Sequence, residues 1–324
     1  MTSLFFLEQK CHYYASQLIP YAMKQSSEGA QMFTQDALLL ERIFSPTIFT
    51  DFAKHQKSAF FSKIVSSEAY REKFDTQFSV GKAFDQAFSL LAQPGTRNEY
   101  IYKNTIAEKI LLGRHSLNTA VLVQEMRALR SKADTVIFNG TSTAYEIKSD
   151  RDSLARLPIQ VEDYRKVFAK VIVVADAKHL TTLEKILPAD VGILELNKKL
   201  SLSTIRQAEQ SLSTLEKPAI LDALKLSELQ MMLNELGCEK PTVPNTRQRR
   251  VYTEILSEFP VEQLHASMVK TVRSSRSQAS MSSYLSQLPQ SLYAAALRSH
   301  PSATQKNHIL KAIQTPLYEA VSWS

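Results

Sequence analysis

Glycine is scarce. The 324 residues hold seven, at Gly29, Gly81, Gly95, Gly113, Gly140, Gly192 and Gly237, all far apart. Rossmann and Walker-type phosphate loops draw several glycines together so that backbone can wrap a phosphate, so dinucleotide enzymes and P-loop ATPases are excluded. Cysteine is scarcer still. Cys11 and Cys238 alone build no disulfide framework and no Cys-x-x-Cys pair for zinc or redox chemistry, and structural thiols in a reducing compartment are expected. Cys11-His12 is an adjacent pair with no partner at ligand spacing. No stretch approaches the ~18 apolar residues of a membrane span. The run Leu4-Phe5-Phe6-Leu7 is too short for a signal sequence and has no basic segment before it. The expectation is a cytoplasmic protein without membrane attachment. The Gly-x-Ser-x-Gly elbow of serine hydrolases is also missing, and the seven histidines are scattered.

An apolar fraction of 44% and a charged fraction of 22% sit near globular averages, which rules out wholesale disorder and fibrous structure. The chain exceeds the ~250–300 residues at which one core usually stops growing, so roughly two or three modules are expected. Net charge is +7. From Lys240 to Ser324 ten Lys or Arg face four Glu and no Asp, so this stretch carries six of the seven net charges. Polyanions are the natural partner class, with nucleic acid the commonest; the alternative is a solvated basic surface that maintains solubility.

Residues 1–95 read as a helical N-terminal region. Ala37 to Ile43 and Phe84 to Leu91 carry apolar residues at three-and-four spacing, and Gln93-Pro94-Gly95-Thr96 signals a turn. The stretch 96–198 differs in texture. Asn98 to Gly113 reads as a helix, Thr119 to Leu129 as a strand and Ala133 to Phe138 as a second. Asn139-Gly140 is a two-residue hairpin signal that returns Thr143 to Lys148 antiparallel. Leu154 to Phe168 then reads as helix, Lys170 to Ala175 as strand, His179 to Leu187 as helix and Val191 to Leu196 as a last strand. Residues 199–324 read as a helical, basic C-terminal region. Ile220 to Leu236 is its clearest helix, and Ser274 to Ser286 is a serine-rich mobile connection or a poorly packed helix. The fold class is therefore α/β, a mixed central sheet between helical flanks.

Strand side chains alternate, so Glu146 and Lys148 project from one face, and Asp134 on the neighbouring strand can meet both. Two carboxylates around an ammonium make a poor apolar core, because burying such charges costs several kcal/mol per ion unless something coordinates them. A divalent cation resolves this. Oxygen ligands with solvent positions left open suit Mg²⁺, with Mn²⁺ as substitute, and such a site shares its remaining positions with phosphate oxygens. Phosphodiester hydrolysis needs these parts: a metal that polarises the phosphoryl oxygen and acidifies its water, and a lysine that orients that water or neutralises developing charge. The plain alternative is a solvated strand edge with a surface salt bridge worth ~0–1 kcal/mol.

Asp134 followed by Glu146-x-Lys148 beyond a hairpin resembles the PD-(D/E)XK nuclease superfamily, whose αβββαβ core is similar to the order read between Arg97 and Leu196. Gln160-Val161-Glu162-Asp163-Tyr164 resembles the Q-x-x-x-Y motif of its RecB-like branch. Glu146-Ile147-Lys148-Ser149-Asp150 with Leu154, Arg156 and Leu157 resembles a group of small bacterial nuclease-like proteins. The resemblance implies a metal-dependent nuclease acting on nucleic acid, DNA first, in repair or in defence against foreign DNA. It implies Asp134 and Glu146 as metal ligands, Lys148 and Gln160 as catalytic partners, Tyr164 in contact with substrate or bracing it, and Arg156 in contact with substrate or at the helix cap; Tyr164 also fits a core stripe with Gln160 and Phe168. The superfamily usually adds a helical acidic residue before the first strand. At 100° per residue Glu99 falls on the buried stripe of Tyr102, Ile106 and Ile110 while Glu108 points nearly opposite, which favours Glu99 as third ligand; Glu125 in the first strand is a further candidate. Arg247, Arg249 and Arg250 form the densest basic patch outside this region, fitting either phosphate contact or an exposed helix start. Two other functions stay open: a non-catalytic nucleic-acid-binding protein that keeps a nuclease fold, and a helical interaction or regulatory protein.

Overall fold

A computed structural model describes residues 38–324. The Leu4 to Leu7 run, the Cys11-His12 pair and the start of the helix read over Ala37 to Ile43 lie outside the described residues. After helical residues 38–41 and a 3₁₀ turn at Arg42–Phe44 come three helices, α1 (Pro46–His55), α2 (Ala59–Val65) and α3 (Val80–Leu91). Ser58 and Ser79 cap the second and third by accepting a backbone N–H from Phe61 and Lys82. Next comes α4 (Glu99–Ile106), capped by the Asn98 side chain and continuing into a π-helical segment at Ala107–Leu112.

A six-stranded sheet follows in the order β1-β2-β3-β4-β5-β6. Its strands are β1 (Val121–Ala128), β2 (Ser131–Phe138), β3 (Ser142–Lys148), β4 (Lys170–Ala175), β5 (Gly192–Leu196) and β6 (Leu202–Arg206). The first three form an antiparallel meander, β3, β4 and β5 run parallel, and β6 returns antiparallel. Helix α5 (Leu157–Arg165) makes the crossover from β3 to β4, and α6 (Leu180–Ile186) that from β4 to β5. All seven residues of β3 are buried, as a central strand covered on both faces requires. The β2–β3 hairpin pairs Phe138 with Ser142, so its loop holds three residues instead of the two expected; Gly140 sits at φ +105, a conformation open to glycine alone at little cost.

Beyond the sheet lie α7 (Lys217–Asp222), α8 (Leu226–Glu235), α9 (Asn245–Ser257), α10 (Val261–Ser275), α11 (Ser282–Leu285), α12 (Tyr293–Ser299) and α13 (Ala303–Gln314). The expected helix over Ile220 to Leu236 is thus two. The division at residue 198 also needs correction, because it cuts the β5–β6 turn and would exclude β6 from its own sheet. Nor do the C-terminal helices stand apart. Tyr252, Leu256, Leu264 and Met268 pack in one core with Val136, Phe138, Val161, Tyr164 and Val173, and residues 40–324 make one compact unit. The serine-rich stretch is firmly placed: Gln278 is fully buried and its side-chain amide pairs with both the N–H and the carbonyl of Leu122. It thereby closes part of the free edge of β1. Among the described residues no helix is long and apolar enough to cross a membrane.

His265 on α10 ties this layer to the sheet. Its Nε2 lies 2.8 Å from Ser142 Oγ, which also accepts the Ala169 N–H, leaving the hydroxyl proton for the imidazole. Burial pushes the imidazole pKa down to about 4 from its ordinary 6.5. Between those values the unfolded chain holds a proton that the native state has released, so stability present above pH 6.5 is lost as pH falls, on the order of 3 kcal/mol by pH 4. Urea unfolding at pH 7 and pH 4.5 is expected to show this loss, and His265→Gln to remove most of it. An equal pH slope in the variant would assign the loss to other groups.

Candidate active site

Alternation along β3 puts Ala144, Glu146 and Lys148 on the face that α5 covers. Glu146 is 1% exposed, and three donors meet its carboxylate: Lys148 Nζ at 2.8 Å and Gln160 Nε2 at 2.6 Å on Oε1, and the Tyr164 hydroxyl at 2.7 Å on Oε2. Lys148 Nζ also donates to Gln160 Oε1 at 3.0 Å. Pro158 lies in the first turn of α5, where its fixed φ suits a helix start, and Gln160 and Tyr164, one turn apart, both reach β3. Tyr164 is completely buried. Its hydroxyl braces Glu146, the second of its two expected roles, and its side chain has no surface to offer a substrate in this structure.

Backbone pairing between β2 and β3 ends at Thr135 opposite Tyr145. At the next position Asp134 Oδ2 accepts the Ile147 N–H at 2.7 Å, so a side chain takes over where the ladder stops. Burial and the adjacent Glu146 carboxylate raise the Asp134 pKa to about 8, against the pull of the Ile147 N–H. Glu146 is raised as well, by burial first, with Lys148, Tyr164 and Gln160 offsetting part of it. A buried and a half-buried carboxylate that resist ionising together make a donor pair whose occupation by a divalent cation would release protons.

Two more carboxylates approach from neighbouring elements. In the β1–β2 register Glu125 stands opposite Asp134, between the pairs Gln124–Thr135 and Met126–Ala133. Its φ is +56, a left-handed backbone inside a strand that costs about 1–3 kcal/mol unless the surroundings enforce it. Its carboxylate accepts a hydrogen bond from Lys103 and lies 3.8 Å from Lys132 Nζ. Burial works against the Glu125 charge, yet Lys103 outweighs it and the pKa is lowered. Glu99, in the first turn of α4, lies 2.5 Å from Lys103 Nζ. One carboxylate oxygen from each of Glu99, Glu125 and Asp134 falls within 4.8 Å of the others.

Glu99, Glu125 and Asp134 are therefore brought together, whereas Glu108 pairs with Lys109 at 2.7 Å and stays outside the group. The burial expected for Glu99 needs correction. Its side chain is 54% exposed, since it stands at the helix entry. The even 100° phase also fails further along, where the helix widens at Ala107. Lys103 was not singled out from the sequence; its signal was the i, i+4 spacing from Glu99.

The expected phosphate contacts are only partly assembled. Arg156 is exposed just before α5. Arg249 donates to the Leu221, Asp222 and Leu224 carbonyls and acts as a cation at the end of α7. Arg250 pairs with Glu254 at 3.4 Å, and Arg247 is exposed. Of the three, Arg249 alone lines a groove of about 400 Å³ beside β1, together with Glu125, Arg127, Asp222, Lys225 and Arg276. Glu125 belongs to this groove and to the acidic group alike.

A mixed α/β sheet with a buried carboxylate–lysine–glutamine–tyrosine centre at the C-terminal end of β3 is the class of protein these features define. The chain belongs to the family described as Bacteriophage P4 protein cII, whose profile matches residues 93–300. That span holds every strand among the described residues and every residue of the centre. Protein cII of Enterobacteria phage P4 is 30% identical over 176 residues, 53% of this chain and 65% of the phage protein, so the match spans just under two thirds of that relative. No solved structure matches the chain.

Proposed function

We propose that the chain is a divalent-cation-dependent nuclease of the PD-(D/E)XK type, acting on DNA before other nucleic acids. The observation that carries this reading is the convergence of Asp134, Glu146, Lys148 and Gln160 at one end of β2, β3 and α5, with the half-buried Asp134 carboxylate beside the buried Glu146. The donor set fits Mg²⁺ or Mn²⁺, being all oxygen and anionic. Asp134 and Glu146 would hold the ion, with Glu99 and Glu125 at its outer side. An ion bound there supplies Lewis acidity towards a phosphoryl oxygen and a more acidic water.

The remaining work falls to the chain's own groups. Lys148 places its ammonium, fixed by Glu146 and Gln160, where negative charge grows as the phosphodiester is attacked. Gln160 orders that ammonium and the Glu146 carboxylate together, since its amide oxygen faces one and its amide nitrogen the other. Tyr164 holds the second Glu146 oxygen and keeps the carboxylate from rotating. The groove beside β1, which meets the acidic group at Glu125, is the approach assigned to the nucleic-acid backbone, with Lys225 and Arg127 as its exposed cations; Arg127 pairs with Asp222 at 3.4 Å and would exchange that partner for phosphate, and Arg276 is held by Glu228.

Purified protein incubated with plasmid, linear duplex and single-stranded DNA should cleave only when Mg²⁺ or Mn²⁺ is present, and Asp134→Asn should not cleave. In binding assays, Arg127→Glu with Lys225→Glu should weaken affinity and flatten the dependence of log K on log salt by about 0.9 per lost phosphate contact on duplex DNA. Cleavage by Asp134→Asn equal to that of the wild type would sink the proposal. Salt-dependent binding with no cleavage under any metal would favour a non-catalytic nucleic-acid-binding protein.

A further inference from the structure

The gap between Glu99 and Glu125 already contains a positive charge. Lys103 reaches it from the second turn of α4, its side chain 8% exposed, with Nζ 2.5 Å from Glu99 Oε1 and hydrogen-bonded to Glu125. The same two carboxylates, with Asp134, form the tightest acidic group among the described residues. An ion seated between Glu99 and Glu125 would stand where this ammonium stands. Resting on the reading of the centre as a divalent-cation site, we infer that Lys103 is a built-in cation that fills the Glu99–Glu125 half, so that the centre takes one divalent ion, on the Asp134–Glu146 half.

Charge balance supports the inference. Glu99, Glu125, Asp134 and Glu146 carry four negative charges when ionised, and Lys103 and Lys148 are the two ammonium groups buried among them. Two negative charges are left over. One divalent ion neutralises them, whereas two would leave a net double positive charge around two buried ammonium groups, and like charges repel. Lys132, 3.8 Å from Glu125 and 60% exposed, and Glu99, 54% exposed, stand at the solvent side, where screening weakens the part of each, one positive and one negative, in this balance. The backbone agrees. Glu125 keeps a left-handed φ within a strand, and its ion pair with Lys103 is the contact that rewards this conformation. Lys103 is therefore a positioning residue for two carboxylates and also an occupant of the place between them.

The test counts ions. Calorimetric Mn²⁺ titration, with electron paramagnetic resonance to measure free Mn²⁺, should give one ion per chain for the wild type and two for Lys103→Met. Should the methionine variant fail to fold by circular dichroism, Lys103→Gln serves in its place. It keeps a hydrogen-bond donor between the two carboxylates while removing the charge, and should also admit a second ion. The double variant Lys103→Met with Glu125→Gln should return to one. Two ions in the wild type would overturn the inference and leave the nuclease reading standing. One ion in a folded Lys103→Met or Lys103→Gln protein would likewise show that Lys103 does not limit the site. No bound ion in the wild type would remove the metal reading of the centre, and this inference with it.

Discussion

Lys148→Met is expected to lower metal-dependent cleavage by about 10²–10³-fold, the usual effect of deleting one preorganised electrostatic contributor, while a divalent ion still binds. The geometry separates the two roles. Lys148 Nζ touches Glu146 Oε1 and Gln160 Oε1, both of which remain in the variant, and Asp134 keeps its hold on the Ile147 N–H. The ion should bind slightly more tightly, because removing a nearby positive charge lowers repulsion towards it. Asp134→Ala and Glu146→Ala, in contrast, should weaken ion binding and cleavage together. Running a Mn²⁺ titration beside the cleavage assay distinguishes these patterns. Full cleavage by Lys148→Met would make the Glu-x-Lys arrangement a structural ion pair and move the non-catalytic reading to first place.

The second large effect is on stability. Arg276, just past α10, places Nε 2.6 Å from Oε1 and Nη2 2.7 Å from Oε2 of Glu228 on α8, and the Ser275 hydroxyl and the Lys225 N–H complete the set of donors. Glu228 is 1% exposed. Burial opposes its charge, but the guanidinium beside it outweighs this and holds its pKa below the ordinary carboxylate value. Arg276→Met would strand that carboxylate, at a cost of about 3–5 kcal/mol. Replacing both partners with apolar residues of similar volume should recover most of the loss. Denaturant unfolding of the single and double variants measures it, and a single-variant change under about 1 kcal/mol would place the pair among ordinary surface ion pairs.

Much of the sheet was legible because its strands are written in plain patterns. Lys170 to Ala175 was bounded to the residue, since a strand buried on both faces is an unbroken apolar run. β6 was missed because Leu-Ser-Thr-Ile-Arg is a short, half-exposed edge strand with neither a run nor a clean alternation. The serines of Ser274 to Ser286 point to a mobile connection or a poorly packed helix, but what fixes the stretch is a long-range partner, the β1 backbone at Leu122, which no local pattern encodes. Within the centre, Asp134, Glu146 and Lys148 could be placed together from strand periodicity and the hairpin. Glu125 could be named but not seated, because its carboxylate turns inward through a positive φ that no sequence rule assigns to a glutamate in a strand. The basic triplet misled because charge density says nothing of commitments already made: Arg249 serves the carbonyls that close α7.

The described N-terminal helices are completed by the last part of the chain. The Ser62 hydroxyl donates to the Val321 carbonyl across 259 residues, Phe52 and Phe61 pack on the Trp323 ring at 5.7 and 5.9 Å, and α1 lies along α13. A ribosome adding about 5–20 residues per second needs roughly 13–50 s to cover that separation. For that interval Phe52 and Phe61 wait without the ring and helix that cover them, while the sheet is still being assembled strand by strand. Birth, more than equilibrium unfolding, is thus the moment at which this chain is most open to proteases and to sticking to other nascent copies. Its yield in a cell should depend on holding chaperones and on the translation speed over the whole stretch between Ser62 and Trp323.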